Sequence, residues 1–322
     1  MLGRALFLLV ASCLVLRASD DAFAQSYPSH PVTLVVPYAA GSGVDILGRI
    51  LANNLSQRLG QPMIIEAKPG AGSAIGTDFV AKAQANGYTL MLTTSVLPVL
   101  PALYKKVAFN PVSDFTHISK VATGSMALVV NPTALPVKTL EELVTRVRAN
   151  PGKLNYASAG NGTPHHLGME LFKRQLGLDI VHVPYRGATG ALNDLLSGQV
   201  PLAMFPVNVV LPHVKDGKLA VIAVSGKGRS LLAPDAPSFD ELGLKNLDLD
   251  IYYMISGPAN LSPDITSRLN AEIGGAVDDV REQLLGLGLV AERSTPEAIA
   301  ELVKSDVARW KEFIASANIT VD

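Results

Sequence analysis

The stretch VPYAAGSGVD, residues 36–45, decides the fold. It follows an apolar run at residues 32–36 that Pro37 ends, and such a run is typical of a buried strand. Beyond it, apolar residues recur with helical spacing at Val44, Leu47, Leu51 and Leu55. The sequence therefore predicts a strand, a glycine-rich loop and a helix in direct succession.

The same alternation continues along the chain. Further strands are predicted at residues 63–66, 88–93, 127–130, 155–159, 180–183 and 219–224. Helices are predicted at residues 75–85, 140–149, 165–175 and 188–196, and after a loop-rich stretch at 263–277, 280–287 and 296–315. Strands that alternate with helices indicate α/β sheets with crossover helices.

The amino terminus has the features of an export signal. Arg4 precedes an apolar stretch at residues 5–16 that is too short to span a bilayer, and Ala22-Phe23-Ala24 is a signal-peptidase pattern. We therefore predict a signal peptide at residues 1–24 and a periplasmic protein. The alternatives are an uncleaved membrane anchor, or lipidation at Cys13, which is the only cysteine.

Composition limits the remaining function classes. The net charge of −1 gives no electrostatic footprint for nucleic acid or an anionic membrane. A chain of 322 residues with 48% hydrophobic residues can form two lobes. Without a low-complexity linker, we expect strands to cross between the lobes near residues 126–130 and 224–227. The predicted lobes are residues 25–126 with 228–322, and residues 127–227.

The loop at residues 36–45 is a candidate anion site. Ser42 can cap the following helix, with Asp45 in the reciprocal position three residues on. Unpaired backbone N–H groups at a helix start bind anions, and glycines let the backbone approach an anion closely. The alternative is an ordinary capped helix without a ligand.

Two later loops repeat this arrangement. Residues 158–166, SAGNGTPHH, offer Thr163 as an N-cap and Pro164 at the first helical position. Residues 183–189, VPYRGAT, add Arg186, which can pair with a carboxylate as a bidentate donor or remain a solvated surface arginine. Because ligands bind at the carboxyl ends of strands, three such loops on two lobes predict a cleft that holds a small anion.

Catalytic and metal sites find less support. His165 and His166 are adjacent, so they point in different directions on a helix, and a helix-start or packing role suits them better than a metal. Ser158 lacks the glycine two positions earlier that a nucleophile elbow needs, and His182 is predicted to be a core histidine. We therefore expect no catalytic pair, no metal, no cofactor and no enzyme.

The whole chain after residue 24 resembles the Bug family, the substrate-binding proteins of tripartite tricarboxylate transporters. The resemblance rests on an ordered series of short blocks, which are YP at 27–28, VPYAAG at 36–41, PGAG at 69–72, NGYTL at 86–90, NPGKL at 150–154, SAGNGT at 158–163, VPYRG at 183–187, GKL at 217–219 and GP at 257–258. It implies a type II periplasmic-binding-protein fold, with two α/β lobes joined by crossover strands and a ligand cleft between them.

The resemblance also implies the ligand contacts. They are expected largely from backbone groups and waters at Tyr38, Ala39, Ala40, Gly41, Ser42, Gly43, Asp45, Ser95, Ser158, Asn161, Gly162, Thr163, His165, Arg186, Gly187 and Phe205. Members often carry an acidic residue at the position of Phe205, where it can hold a ligand ammonium group. We therefore predict a carboxylate ligand without an amino group.

The predicted function is capture of a small carboxylated solute and its delivery to the membrane permease of a tripartite tricarboxylate transporter. A clamp that must close freely is expected to be a monomer. A periplasmic sensor that reports to a signalling kinase is the alternative within the same class. A periplasmic enzyme acting on carboxylated substrates is the alternative from another class, and a catalytic pair in the cleft would favour it.

Overall fold

The computed structural model describes residues 27–226, 228–245, 247–319 and 321. The predicted signal peptide at residues 1–24 lies outside the described residues, and so does Cys13. Within the described part of the chain, no helix is both long enough and apolar enough to cross a membrane.

Two mixed sheets organise the chain. The eleven strands among the described residues are β1 (Val32–Val36), β2 (Met63–Ala67), β3 (Thr89–Thr94), β4 (Phe115–Gly124), β5 (Met126–Val130), β6 (Asn155–Ser158), β7 (Val181–Pro184), β8 (Leu202–Pro206), β9 (Ala220–Val224), β10 (Ile251–Pro258) and β11 (Val290–Ala291). The six-stranded sheet has the order β11-β4-β10-β3-β1-β2, and the five-stranded sheet has the order β7-β6-β8-β5-β9. We call the six-stranded sheet with its packed helices the first lobe, and the five-stranded sheet with its packed helices the second lobe.

Helices connect most of these strands. They are α1 (Gly43–Leu59), α2 (Ala74–Ala81), α3 (Leu100–Leu103), α4 (Leu140–Arg148), α5 (Pro164–Leu176), α6 (Ala188–Ser197), α7 (Val207–Lys215), α8 (Pro263–Asp279), α9 (Arg281–Gly286) and α10 (Pro296–Ser316). Strand β1 pairs in parallel with β2 and β3, and β6 pairs in parallel with β7 and β8. Parallel neighbours need crossover helices, so the carboxyl ends of these strands lead into helix starts.

The opening strand–loop–helix unit forms as the sequence predicts. Alternate residues of β1, among them Val32 and Leu34, are fully buried against one face of α1, where Leu47, Leu51 and Leu55 are also fully buried. Apolar residues recur at helical spacing in α1 and at every second position in β1, so each element presents one apolar face to the other. Burial of these side chains anchors the amino terminus of α1 at the carboxyl end of β1.

The chain crosses between the sheets twice. It passes from β4 to β5 through Ser125, and it returns between β9 and β10. At this point the Ser225 hydroxyl accepts a hydrogen bond from Met126 N at 2.8 Å and donates one to the Asp250 carboxylate. Burial raises the pKa of Asp250 to about 6. One hydroxyl therefore ties together both connections between the lobes.

The stretch predicted as loop-rich contains a central strand. β10 lies between β3 and β4 and pairs antiparallel with both, so its IYYMISGP segment is largely buried. The sequence before it does not belong wholly to the first lobe, because Ala233 and Ala236 pack in a second-lobe core and the Phe239 ring lies 6.0 Å from that of Phe172. The second lobe therefore extends beyond the predicted boundary at residue 227.

Candidate functional site

The first loop joins β1 to α1 and is open to solvent. Ala39, Ala40, Gly41 and Gly43 are exposed, whereas Tyr38 is partly buried and its hydroxyl lies 2.9 Å from Thr94 Oγ1 at the end of β3. Desolvation raises the pKa of the Tyr38 hydroxyl. The phenol is thus a neutral hydrogen-bonding group that holds the loop against the neighbouring strand.

Asp45 acts within this loop and offers no surface to a ligand. The Ser42 hydroxyl accepts from Asp45 N at 3.3 Å, as the predicted cap requires. The Asp45 carboxylate accepts from Gly41 N at 2.9 Å and from Arg49 Nε at 3.0 Å. Asp45 is 1% exposed, so in this conformation its carboxylate is turned into the loop and away from solvent, and its predicted contact with a ligand stays a prediction. Its carboxylate accepts the hydrogen bond of Gly41 N, which is one of the amides that an anion was expected to use.

The second loop joins β6 to α5 and is held in a similar way. Gly160 N donates to the Ser158 hydroxyl at 3.1 Å, and Gly162 N donates to His166 Nδ1 at 3.0 Å. Thr163 is the N-cap residue by its backbone, but its hydroxyl donates to Gly160 O at 2.7 Å instead of capping the helix. Ser158 and Gly162 are buried, while Asn161 is exposed and Thr163 is partly exposed.

A stack of three aromatic rings, those of Tyr156, His182 and His166, is hydrogen-bonded to this loop. The His182 ring lies 4.1 Å from that of His166 and 4.8 Å from that of Tyr156, nearly parallel to both. Burial, followed by the charge of His166, lowers the pKa of His182 to about 4. His182 carries a hydrogen bond, as expected of a satisfied core histidine, but it is half-buried on an edge strand and does not lie in the core.

Ser158 and His182 form a pair that sequence reasoning missed. Ser158 Oγ lies 2.7 Å from His182 Nε2. In the parallel register Tyr156 faces His182, so Ser158, two residues on, projects from the same face of the sheet. Alternation along both strands was the signal that could have revealed the pair. Ser158 is fully buried, and a nucleophile must reach its substrate, so this geometry suits loop support rather than catalysis.

The third loop presents a free cation. Arg186 is exposed, and within the described part of the chain it forms no ion pair. Gly187 follows with φ 138°, a backbone conformation open mainly to glycine, and serves as the N-cap residue of α6. Tyr185 N donates to Ser158 O at 3.0 Å, which joins this loop to the second. Arg186 is therefore positioned beside the second loop with its donors available.

His165 and Phe205 contact each other, with ring centroids 4.7 Å apart. Phe205 is fully buried, so in this conformation its predicted contact with a ligand has no exposed surface to act through. Desolvation lowers the pKa of His165 to about 4. At neutral pH His165 is uncharged, and it can meet a carboxylate only as a neutral hydrogen-bond donor.

A cavity of about 580 Å³ lies between the lobes and is lined by Ser95 and Gly162 among the predicted residues. Its charged lining consists of Lys120, Asp248, Asp250, Glu292, Asp306 and Arg309. The two cations are already paired, Lys120 with Glu292 at 2.5 Å and Arg309 with Asp306 at 2.8 Å. Carboxylates outnumber cations here, so this cavity is electrostatically unfavourable for a carboxylate ligand.

The favourable positions for an anion are the remaining helix-start amides. The first N–H groups of a helix have no partner within it. Gly43 and Val44 of α1, and His165 and His166 of α5, stand at these positions. Together with Arg186, they supply fixed donors on both lobes. Nowhere in the described residues do three or more His, Cys, Asp or Glu side chains gather so as to suit a metal ion.

Comparison with known proteins gives the class and then the family. The structure resembles the periplasmic binding protein BugD, with a TM-score of 0.75 and 31% identity, covering 92% of this chain and 100% of that one. The fold is therefore that of a periplasmic binding protein. The model of the tripartite tricarboxylate transporter family receptor matches residues 47–319, and the chain belongs to this family.

Two further structures show what relatives bind. The R. palustris protein Rpa4515, solved with adipate, has a TM-score of 0.77 and 28% identity, covering 92% of this chain and 100% of that one. MatC from Rhodopseudomonas palustris, solved with bound malate, has a TM-score of 0.72 and 29% identity, covering 89% and 100%. Family members are thus solute-binding receptors, and these two hold dicarboxylates.

The Asp45 contacts predict a pH-dependent stability. The Gly41 amide and the Arg49 guanidinium hold the pKa of Asp45 below its usual value, so the stabilisation is present above the ordinary carboxyl pKa and is lost as pH falls through the lowered value. We expect Asp45→Asn to cost about 1 kcal/mol of unfolding free energy at pH 7. The difference should shrink at pH 3 in urea denaturation. A difference that does not change with pH would contradict this assignment.

Proposed function

We propose that this protein is an extracytoplasmic receptor that captures a small carboxylate between its lobes and delivers it to the permease of a tripartite tricarboxylate-type transporter. The observation that carries the proposal is the pair of glycine loops at which β1 and β6 lead into helix starts, one on each lobe. Aligned helix amides favour negative charge, and charge-assisted bonds to them are strong. Two carboxylates of one solute can thus engage one lobe each.

Arg186 complements these amides. It is an exposed guanidinium beside the second loop, without an ion pair among the residues that the structure describes, and its planar donors can bond both oxygens of a carboxylate. The relatives that hold adipate and malate support a dicarboxylate as the solute. Binding would favour the closed form of the clamp, which the permease could then recognise.

The signal peptide predicted at residues 1–24 supports a periplasmic location, and release after Ala24 would leave a freely diffusing receptor. The residues predicted to contact the solute fall into two groups. Four of them are buried in this conformation, namely Asp45, Ser158, Gly162 and Phe205, and we propose that they shape the loops. The exposed and partly exposed members, including Ser95 and Gly187, remain the proposed contacts.

The apolar residue at position 205 restricts the solute further. Phe205 packs behind His165 and does not itself reach the solute, so an ammonium group bound beside His165 would find no carboxylate at position 205, and an unpaired buried charge is costly. We therefore propose a solute without an amino group.

Malate and aspartate test this proposal, since they differ only in carrying a hydroxyl or an ammonium group. We expect succinate, malate or adipate to raise the melting temperature, because a molecule that binds only the folded state stabilises it. Calorimetry should give malate an affinity about tenfold or more above that of aspartate. Tighter binding of aspartate would contradict the exclusion of amino acids, and no response to any carboxylate would contradict the receptor proposal.

Arg186 provides a second test. Arg186→Ala should weaken dicarboxylate binding by about tenfold or more, because a hydrogen-bonded charge pair is lost. Arg186→Lys should recover part of the affinity, since lysine keeps the positive charge but lacks the paired N–H donors that bond both carboxylate oxygens. Arg146→Ala is the matched control, because Arg146 is also an exposed arginine and lies on α4 of the same lobe. Equal effects of the Arg186 and Arg146 variants in calorimetry would argue against a direct contact.

A further inference from the structure

The two glycine loops are held by the same hydrogen bond, made by different side chains. Gly41 N donates to Asp45 Oδ2 at 2.9 Å, and Gly162 N donates to His166 Nδ1 at 3.0 Å. In both cases the acceptor lies four residues after the glycine. The glycines have similar φ values, 80° and 74°, and the N-cap residue between each pair is extended. Asp45 and His166 therefore hold equivalent positions in the two lobes.

The chemistry of the two acceptors differs. An ionised carboxylate accepts hydrogen bonds throughout the neutral range. An imidazole nitrogen accepts only while it carries no proton. Because a backbone N–H can only donate, the contact with Gly162 N places the lone pair on His166 Nδ1 and the ring proton on Nε2. A second proton on this ring would remove the acceptor and bring two N–H groups face to face.

The groups around His166 keep it neutral. Burial lowers the pKa of His166, the carboxylate of Glu170 raises it and the ammonium of Lys173 lowers it. On the neighbouring strands the His182 ring stacks on His166 and is bonded to the Ser158 hydroxyl. Glu170 is itself engaged, since it accepts from Tyr156 Oη at 2.6 Å and pairs with Lys173 Nζ at 2.6 Å. Glu170 is thus the carboxylate that acts on this ring within the described residues, and it is already shared between Tyr156 and Lys173.

We propose that His166 is the positioning residue of the second loop, and that the carboxylate affinity of the receptor depends on an unprotonated His166 Nδ1. His166 holds Gly162, and with it the helix start from which the His165 and His166 amides are offered. The affinity part of this inference rests on the proposed function. Binding is unimpaired at neutral pH and weakens in acid, as pH falls through the lowered pKa of His166.

Two amide variants separate this role from simple packing. In His166→Asn, Oδ1 stands at the bonded position of Nδ1, so it can accept from Gly162 N without titrating. In His166→Gln, the amide reaches the position of Nε2 and leaves Gly162 N without an acceptor. Both variants are neutral and similar in size. Thermal melts serve as the check that each variant is folded.

The first experiment needs no solute. Nitrogen chemical shifts of the wild-type protein should show His166 with Nε2 protonated and Nδ1 bare. Hydrogen exchange at the Gly162 amide should remain slow in His166→Asn and become about tenfold faster in His166→Gln. A wild-type ring protonated at Nδ1, or equal exchange in both variants, would overturn the positioning role.

The second experiment measures malate binding by calorimetry from pH 7.5 downward, over the acid range in which thermal melts show that the protein is folded. At pH 7.5, His166→Asn should bind within about twofold of the wild type and His166→Gln about tenfold more weakly. As pH falls through the lowered pKa of His166, the wild type should lose more affinity than His166→Asn, and malate's own titration cancels in this comparison. Equal losses would overturn the pH dependence. A wild type that binds no malate but protects Gly162 would overturn the proposed solute while supporting the anchoring of the loop.

Discussion

The backbone amides at the start of a helix lack partners within the helix, and the arrangement of the candidate site follows from this constraint. Each lobe places such a start at the carboxyl end of a parallel strand, where a glycine lets the chain turn into the helix. Several amides of each loop donate to acceptors inside the protein, among them Gly41 N to Asp45 in the first lobe and Gly162 N to His166 in the second. The first amides of each helix, at Gly43 and Val44 on α1 and at His165 and His166 on α5, remain available to a ligand. The loops are thus held by their own hydrogen bonds and still offer the first amides of each helix as donors.

The sequence was sufficient to locate these loops, because their signals are local. The apolar run of β1, the glycines and the helical spacing after Ser42 lie within one continuous stretch, and the capping bond to Ser42 formed as predicted. The central strand β10 was missed, since its place between β3 and β4 depends on partners far away in the chain. The Ser158–His182 contact was missed for the same reason, as it depends on the pairing of β6 with β7.

Burial was the other quantity that sequence could not supply. Asp45 and Phe205 were predicted to contact a solute, and both are buried in this conformation. Asp45 is an internal acceptor because its carboxylate turns back on its own loop. The same reasoning separates His165 from His166. Adjacency on a helix shows that the two rings diverge, but only the fold shows which of them meets Gly162 N.

Charge distribution divides the interlobe region into two environments. The cavity beside the crossing strands carries more carboxylates than cations, and its cations are already paired. The helix starts and Arg186 carry partial or full positive charge without internal partners. A dicarboxylate is therefore favoured at the loops and disfavoured in the cavity. Backbone dipoles supply local positive charge that does not depend on the net charge of −1, so the overall charge does not oppose the proposed capture of an anion.

A crystal structure of the complex with malate tests the central claim most directly. We expect malate carboxylate oxygens about 2.7–3.2 Å from helix-start amides of both α1 and α5, with Arg186 on one carboxylate. Malate held instead among Asp248, Asp250 and Asp306, with the helix-start amides facing solvent, would contradict it.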